Sequence, residues 1–308
     1  MSSEPIFPAF NLQVAKRSLC WDAKTWFDFF ALTKPEVNFL IVITTFAGFY
    51  LAYPSGDFPL LRSMNAVLGT LLVASGTGTL NQYIERRSDA QMRRTSRRPL
   101  AAGRLNPSAV LWFGIALAVL GTVHLAAAVN LLASLLALGT LFSYLFFYTP
   151  LKRKSPLCTL VGAVPGAMPP LIGWAAASGQ LSFGAWILYS VLFLWQFPHF
   201  MSIAWMYRED YARAGYLVLP QDERARSRLV NWQTLLPLLS LAPVSLLPAL
   251  SGKAGAAYCI GALLLCGGFC YYGAQLVLRK SNSSARQLLS ASILYLPALF
   301  ALMIVLRK

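Results

Sequence analysis

Residues 37–53 read Val-Asn-Phe-Leu-Ile-Val-Ile-Thr-Thr-Phe-Ala-Gly-Phe-Tyr-Leu-Ala-Tyr, with no charge and no polar face that could meet water. A helix that is apolar all round must be buried in protein or in lipid. Residues 237–250 have the same character. Working outward, such runs recur near 37–53, 64–84, 108–129, 131–148, 157–178, 183–203, 232–250, 256–278 and 288–306. The composition agrees: 57% of the 308 residues are hydrophobic and 12% charged, about half the charged fraction of soluble domains. The expected fold is all-α, a polytopic membrane bundle of about nine transmembrane helices.

The formal net charge of +15 would suit a nucleic-acid ligand, but its placement does not. With those spans, all but Arg62, Lys253, Arg307 and Lys308 of the 26 lysines and arginines fall on one side of the membrane. Basic residues gather in cytoplasmic loops, so the asymmetry is a topology signal and nucleic acid is not an expected partner. It predicts a cytoplasmic tail over residues 1–36, a single transmembrane domain over 37–308 and a periplasmic C-terminus. The first 35 residues include Glu4, Asp22 and Asp28 and show no apolar core bounded by a cleavage site. Neither a signal nor a transit peptide is indicated, which favours a bacterial inner (plasma) membrane. The five cysteines form no CxxC. Cys20 and Cys158 fall near predicted cytoplasmic ends, and Cys266 with Cys270 reads as small packing residues.

Two connections are long, near 85–107 and 204–231, and both mix acids with arginines. Long loops in a compact bundle are functional or disordered, and the turn chemistry at Arg98-Pro99 and Ala214-Gly215 suggests ordered caps over a cavity. In the fifth span, Pro165, Pro169 and Pro170 each remove a backbone donor. Such a break fits either a kink in a packed helix or a cavity wall.

The stretch 81–100 reads Asn-Gln-Tyr-Ile-Glu-Arg-Arg-Ser-Asp-Ala-Gln-Met-Arg-Arg-Thr-Ser-Arg-Arg-Pro-Leu. Asn81, Glu85 and Asp89 are spaced i, i+4, i+8 and share one helix face. Two carboxylates and an amide there suit Mg2+, which takes one or two carboxylates and completes its shell with substrate phosphate. Arg93, Arg94, Arg97 and Arg98 follow, and guanidinium groups bind phosphate oxygens bidentately. The plainer alternative is a set of helix-surface ion pairs. A second acidic pair, Glu209-Asp210, and the run Tyr148-Thr-Pro-Leu-Lys152 lie at the same predicted side.

Together these stretches resemble the UbiA superfamily of intramembrane prenyltransferases. Asn81, Glu85 and Asp89 match its NxxxDxxxD motif, with Glu85 in place of the first aspartate, and Tyr148 with Lys152 matches its YxxxK element. Its second motif, often DxxxD, is contracted here to Glu209-Asp210. Around Trp195-Gln-Phe-Pro-His-Phe200 and Tyr211-Ala-Arg-Ala-Gly215 the likeness narrows to the branch that farnesylates haem. The resemblance implies farnesyl diphosphate and haem b as substrates, Mg2+ as cofactor, and room for a haem-handling membrane protein partner besides the membrane lipids. It implies a metal set of Asn81, Glu85, Asp89, Glu209 and Asp210, with diphosphate held by Arg93, Arg94, Arg97 and Lys152. Catalysis would rest on Asn81, Glu85, Asp89, Lys152 and Asp210. His199 is the candidate haem contact; its other reading is a polar group satisfying carbonyls freed by Pro198.

Another family member, acting on a quinone precursor or a chlorin, is the nearer alternative, and the Trp-Gln-Phe-Pro-His run argues against it. A secondary transporter also has broken helices and buried charges, but places them near the bilayer midplane. Here the acids sit at span ends. The charge asymmetry makes a direct prediction: a topology reporter fused after Lys308 reports the periplasm, and one inserted near Asn106 reports the cytoplasm. A cytoplasmic C-terminus would mean that the spans are miscounted.

Overall fold

The computed structural model describes residues 22–53 and 56–307; most of the expected 1–36 tail, with Glu4 and Cys20, lies outside them, as does Lys308. In chain order the helices are α1 (Ala23–Leu32), α2 (Pro35–Ala52), α3 (Leu60–Asp89), α4 (Pro107–Ala128) and α5 (Leu131–Phe142). A π-helical segment, Ser143–Tyr148, then leads into α6 (Thr149–Leu151). There follow α7 (Cys158–Gly166), α8 (Met168–Ser178), α9 (Phe183–Met206), α10 (Arg208–Arg213), α11 (Glu223–Leu250), α12 (Ala256–Arg279) and α13 (Asn282–Val305). Among the described residues, eight passages are long and apolar enough to cross a bilayer, counting α5 with α6 as one and α7 with α8 as another. The ninth is α3, 30 residues long, whose Ser, Thr, Asn, Gln and charged side chains lower its hydropathy. The protein is a multi-pass membrane helix bundle.

Helix and apolar run do not end together. α3 continues to Asp89 and α11 begins at Glu223, beyond the apolar limits at 84 and 232. Backbone hydrogen bonding carries on past the last apolar residue, so hydropathy marks the lipid-facing length and not the helix. The short turns follow their side chains. Asn130 caps α5 by accepting from the Ala133 N–H at 2.8 Å, and it donates to the Ala175 carbonyl at 2.7 Å. Gly179 closes α8 at φ +72°, a left-handed position that favours glycine.

Packing relies on close approach as well as bulk. A Cβ on Gly173 of α8 would sit 1.9 Å from the Thr45 carbonyl of α2, and one on Gly48 would sit 2.2 Å from the Pro170 carbonyl. Small residues at such crossings let two backbones meet where lipid offers no hydrophobic drive. Trp112, Leu120, Leu135, Phe146, Leu239 and Leu264 face outward, as expected of a surface solvated by lipid.

The expected tail includes a helix. α1 is capped by Asp22, which accepts from the Thr25 N–H at 2.8 Å. Asp28 takes two 2.8 Å bonds from Arg104, Phe29 meets Phe113 edge-on at 5.0 Å, and the Leu32 carbonyl accepts from Gln82 of α3 at 2.9 Å. The two long connections pack on each other through Met92, Ala214 and Tyr216, with the Leu217 N–H donating to the Lys152 carbonyl at 2.7 Å. They form one ordered cap. Gly173→Val puts branched carbons into the Thr45 backbone, and overpacking of this kind costs about 1–3 kcal/mol or more. The variant should melt at lower temperature in detergent than Ala176→Ser, a nearby change of little volume.

Candidate active site

The α3 face that points inward carries Thr70, Val73, Ala74, Thr77, Gly78, Asn81, Glu85 and Asp89, at steps of three and four. From Thr70 to Asp89 this stripe spans roughly 28 Å. It forms one wall of a cavity of about 440 Å3. The cavity is charged toward Asp89 and mainly apolar elsewhere, with Pro165, Gly166 and Pro169 of the broken α7–α8 passage in its wall and Trp195 and His199 of α9 beside them. The proline break therefore serves a cavity. Gln196 donates to the Ala163 carbonyl at 3.1 Å near that break, and Pro169 and Pro170 stand in the first turn of α8, where an N–H is not needed.

Asn81, Glu85 and Asp89 of the α3 stripe each meet a cation from a different segment. Lys34, between α1 and α2, donates to Asn81 Oδ1 at 3.1 Å. Lys152, just after α6, donates to Glu85 Oε1 at 2.8 Å. Arg98, from the loop after α3, pairs with Asp89 Oδ2 at 2.7 Å. Asn81 also donates to Thr149 Oγ1 at 3.2 Å. The lysines differ electrostatically. Burial alone would lower the Lys152 ammonium, but Glu85 outweighs it and holds it well above the ordinary lysine range. Burial, with the Arg98 guanidinium nearby, pushes Lys34 down to about 7. Its hydrogen-bond partner is an amide rather than a carboxylate. An anion arriving beside Lys34 would favour its charged form. Its backbone is left-handed at φ 55°, a conformation costing about 1–3 kcal/mol for such a residue.

The π-helical segment shapes the opposite wall. Pro150 has no N–H, and the ladder widens before it, with Thr149 N–H donating to the Tyr144 carbonyl. Tyr144 and Tyr148 then meet edge-on at 4.9 Å, both lining the cavity. The Lys152 ammonium lies over the Tyr148 ring at 4.5 Å.

The predicted metal set does not come together. Among the described residues no three His, Cys, Asp or Glu side chains are grouped to hold an ion. The Glu209 side chain is 79% exposed, facing Arg208 at 3.8 Å. Asp210 turns to the cap, accepting from the Arg94 N–H at 3.1 Å and from Arg213 at 2.8 Å. Burial would raise its carboxyl, but these donors outweigh it and hold it below the ordinary range. Arg94 and Arg98 reach the cavity, while Arg93 and Arg97 are exposed and line no part of it. What remains fits Mg2+ in its usual protein setting: Asp89 is 1% exposed, and its Oδ1 has no partner among the described residues. A buried carboxylate oxygen so placed calls for a cation, with substrate oxygens completing the shell.

The sequence pattern of the UbiA prenyltransferase family matches residues 41–301. The chain belongs to that family. It is 47% identical over 288 residues to a protein named protoheme IX farnesyltransferase from Solibacter usitatus, covering 90% of this chain and 97% of the relative. A protein of the same name from Salinibacter ruber is 43% identical, covering 90% and 98%. Among solved structures, one of digeranylgeranylglyceryl phosphate synthase overlays with a TM-score of 0.75 at 17% identity, covering 92% of this chain and 98% of that one. A UbiA homolog from Archaeoglobus fulgidus bound to GPP and Mg2+ overlays with a TM-score of 0.60 at 17% identity, covering 90% and 99%. At that identity the overlays establish the UbiA fold alone.

Sequence reasoning missed Lys34 as a site residue, because a lysine at the cytoplasmic mouth of a span, here in Thr33-Lys34-Pro35, reads as an ordinary anchor. Lys34→Met should weaken binding of inorganic pyrophosphate about tenfold to a hundredfold, since a hydrogen bond from a charged donor is worth about 1.5–3 kcal/mol. Glu209→Ala should leave that affinity unchanged. Titration calorimetry on the detergent-solubilised protein measures both.

Proposed function

We propose that the protein transfers the farnesyl group of farnesyl diphosphate to a vinyl group of haem b, giving haem O and diphosphate. One observation carries the reading: a single cavity joins a cationic mouth, with an unsatisfied carboxylate, to an apolar body that reaches His199. The relatives named above, matched over nearly their whole length, support haem as the acceptor. The UbiA homolog bound to GPP and Mg2+ supports a prenyl diphosphate as donor.

Asp89 through Oδ1, with Glu85 and Asn81 exchanging their lysine contacts, would hold Mg2+. When bound, the ion neutralises the leaving diphosphate. Lys34, Arg94 and Arg98 bind the remaining phosphate oxygens, and Lys152, released from Glu85, shares their charge. Asp210 positions Arg94 through its backbone rather than holding metal. The C1–O bond breaks with its electron pair going to diphosphate, and the vinyl carbon then bonds to C1. Water adds to the porphyrin-stabilised cation that results and gives up a proton, leaving a hydroxyethylfarnesyl arm. The apolar walls keep water from capturing the farnesyl cation first.

The charge asymmetry supports a bacterial inner membrane, with the N-terminus cytoplasmic and the C-terminus periplasmic. The cationic mouth then opens toward the cytoplasm, and haem reaches the cavity from the bilayer or from a haem-handling membrane protein. Incubating the reconstituted protein with haem b, farnesyl diphosphate and Mg2+ should yield haem O by mass. Asp89→Ala should lower turnover about a hundredfold or more, the scale set by losing a group that stabilises transition-state charge. Glu85→Asp should be milder. Arg94→Ala should raise KM for farnesyl diphosphate without changing an optical haem titration, and His199→Ala should do the reverse. Turnover with a quinone precursor but not with haem would overturn the reading.

A further inference from the structure

His199 makes its ring hydrogen bond across the bundle. Its Nδ1 lies 2.8 Å from Ser292 Oγ on α13, so it does not serve the carbonyls freed by Pro198. Which atom carries the proton follows from Ser292. That hydroxyl is 2.6 Å from the Leu289 carbonyl oxygen, which can only accept. A hydroxyl has one proton, and here it goes to Leu289. The Oγ lone pair must then accept from His199, which puts the imidazole proton on Nδ1. Nε2 is left unprotonated, and it has no hydrogen bond among the described residues.

The arrangement is tied down on both sides. Ser292 is fully buried, so water does not compete for its hydroxyl. Trp195 stacks on the imidazole at 4.7 Å and 25°, and its indole N–H donates to the Ser292 carbonyl at 2.8 Å. One residue of α13 thus sets the ring stacked on His199 and the proton within it. Free histidine favours the opposite tautomer, with the proton on Nε2. A histidine that meets a metal commonly donates its other ring N–H to a neighbouring group, which fixes tautomer and orientation.

We propose that Ser292 is a positioning residue that locks His199 as the Nδ1–H tautomer and so presents a bare Nε2 to the haem iron of the acceptor. The iron contact rests on the haem reading above; the tautomer does not. The reaction leaves the iron's ligation untouched, so a bond from Nε2 holds the porphyrin while its vinyl group reacts.

The chain has two histidines, His124 and His199, so nitrogen NMR of histidine-labelled protein in lipid nanodiscs resolves both rings, with His199→Ala giving the assignment. Substrate-free wild type should show His199 protonated on Nδ1. Ser292→Ala should move the proton to Nε2, and Ser292→Thr, which keeps the hydroxyl and the i−3 bond, should restore it. Both variants keep the carbonyl that Trp195 uses, so lost tautomer control is separable from a lost fold. A wild-type His199 protonated on Nε2 would overturn the inference. In a haem b titration, the Soret shift of wild type should be lost in His199→Ala, largely lost in Ser292→Ala and regained in Ser292→Thr. If His199→Ala leaves the Soret band unmoved while the tautomer result stands, the iron contact fails and Ser292 remains a tautomer lock only.

Discussion

Carboxylates taken out of water must be paired, because removing one partner of a buried ion pair costs about 3–5 kcal/mol. In this protein that requirement falls on the last turns of α3. Glu85 and Asp89 are both buried, and their partners come from segments remote in sequence, Lys152 after α6 and Arg98 from the following loop. Lys34 adds a third tie at Asn81. Satisfying the stripe therefore orients α3, draws the α1–α2 joint over it, and fixes where the α5–α6 passage must end. The cap is drawn in by the same logic, since Asp210 binds the backbone of Arg94. The most polar of the long helices is thus the one to which the α1–α2 joint, the α3–α4 loop and the segment after α6 are tied.

Lipid supplies little drive for helices to associate, so the remainder of the bundle depends on contact quality. α2 meets α8 backbone to backbone through Gly48 and Gly173. α9 is held to α13 by Trp195 and His199 on Ser292. Inside α11–α13, Tyr295 shares its hydroxyl with Ser245 and Cys266, a buried polar knot away from the cavity. Such knots discriminate between packings that apolar surfaces alone would leave nearly equal.

The spans and the acidic stripe were legible because they are local: hydropathy and a step of four residues need no partner. Chain-end helix α1 was not, since its short length gives no transmembrane signal and its hold comes from Arg104, Phe113 and Gln82. Glu209 and Asp210, as neighbours on a helix, point about 100° apart, but only the cap decided which was buried. Among Arg93, Arg94, Arg97 and Arg98, the fold of the loop brings only Arg94 and Arg98 to the cavity. Ser292 had no mark at all; it matters only because α13 places it against His199.

The transporter alternative is best weighed on this network. Alternating access rocks one group of helices against another around a site near the midplane. Here the buried charges are tied at the end of α3 by groups from the α1–α2 joint, the α3–α4 loop and the segment after α6. Rocking α3 against those segments would break two buried ion pairs at once, each at a cost of several kcal/mol. A site that opens by exchanging lysine contacts for a diphosphate and its cation breaks none without replacement. The charge network is therefore built to receive a polyanion in place, with the acceptor arriving along the apolar body of the same cavity.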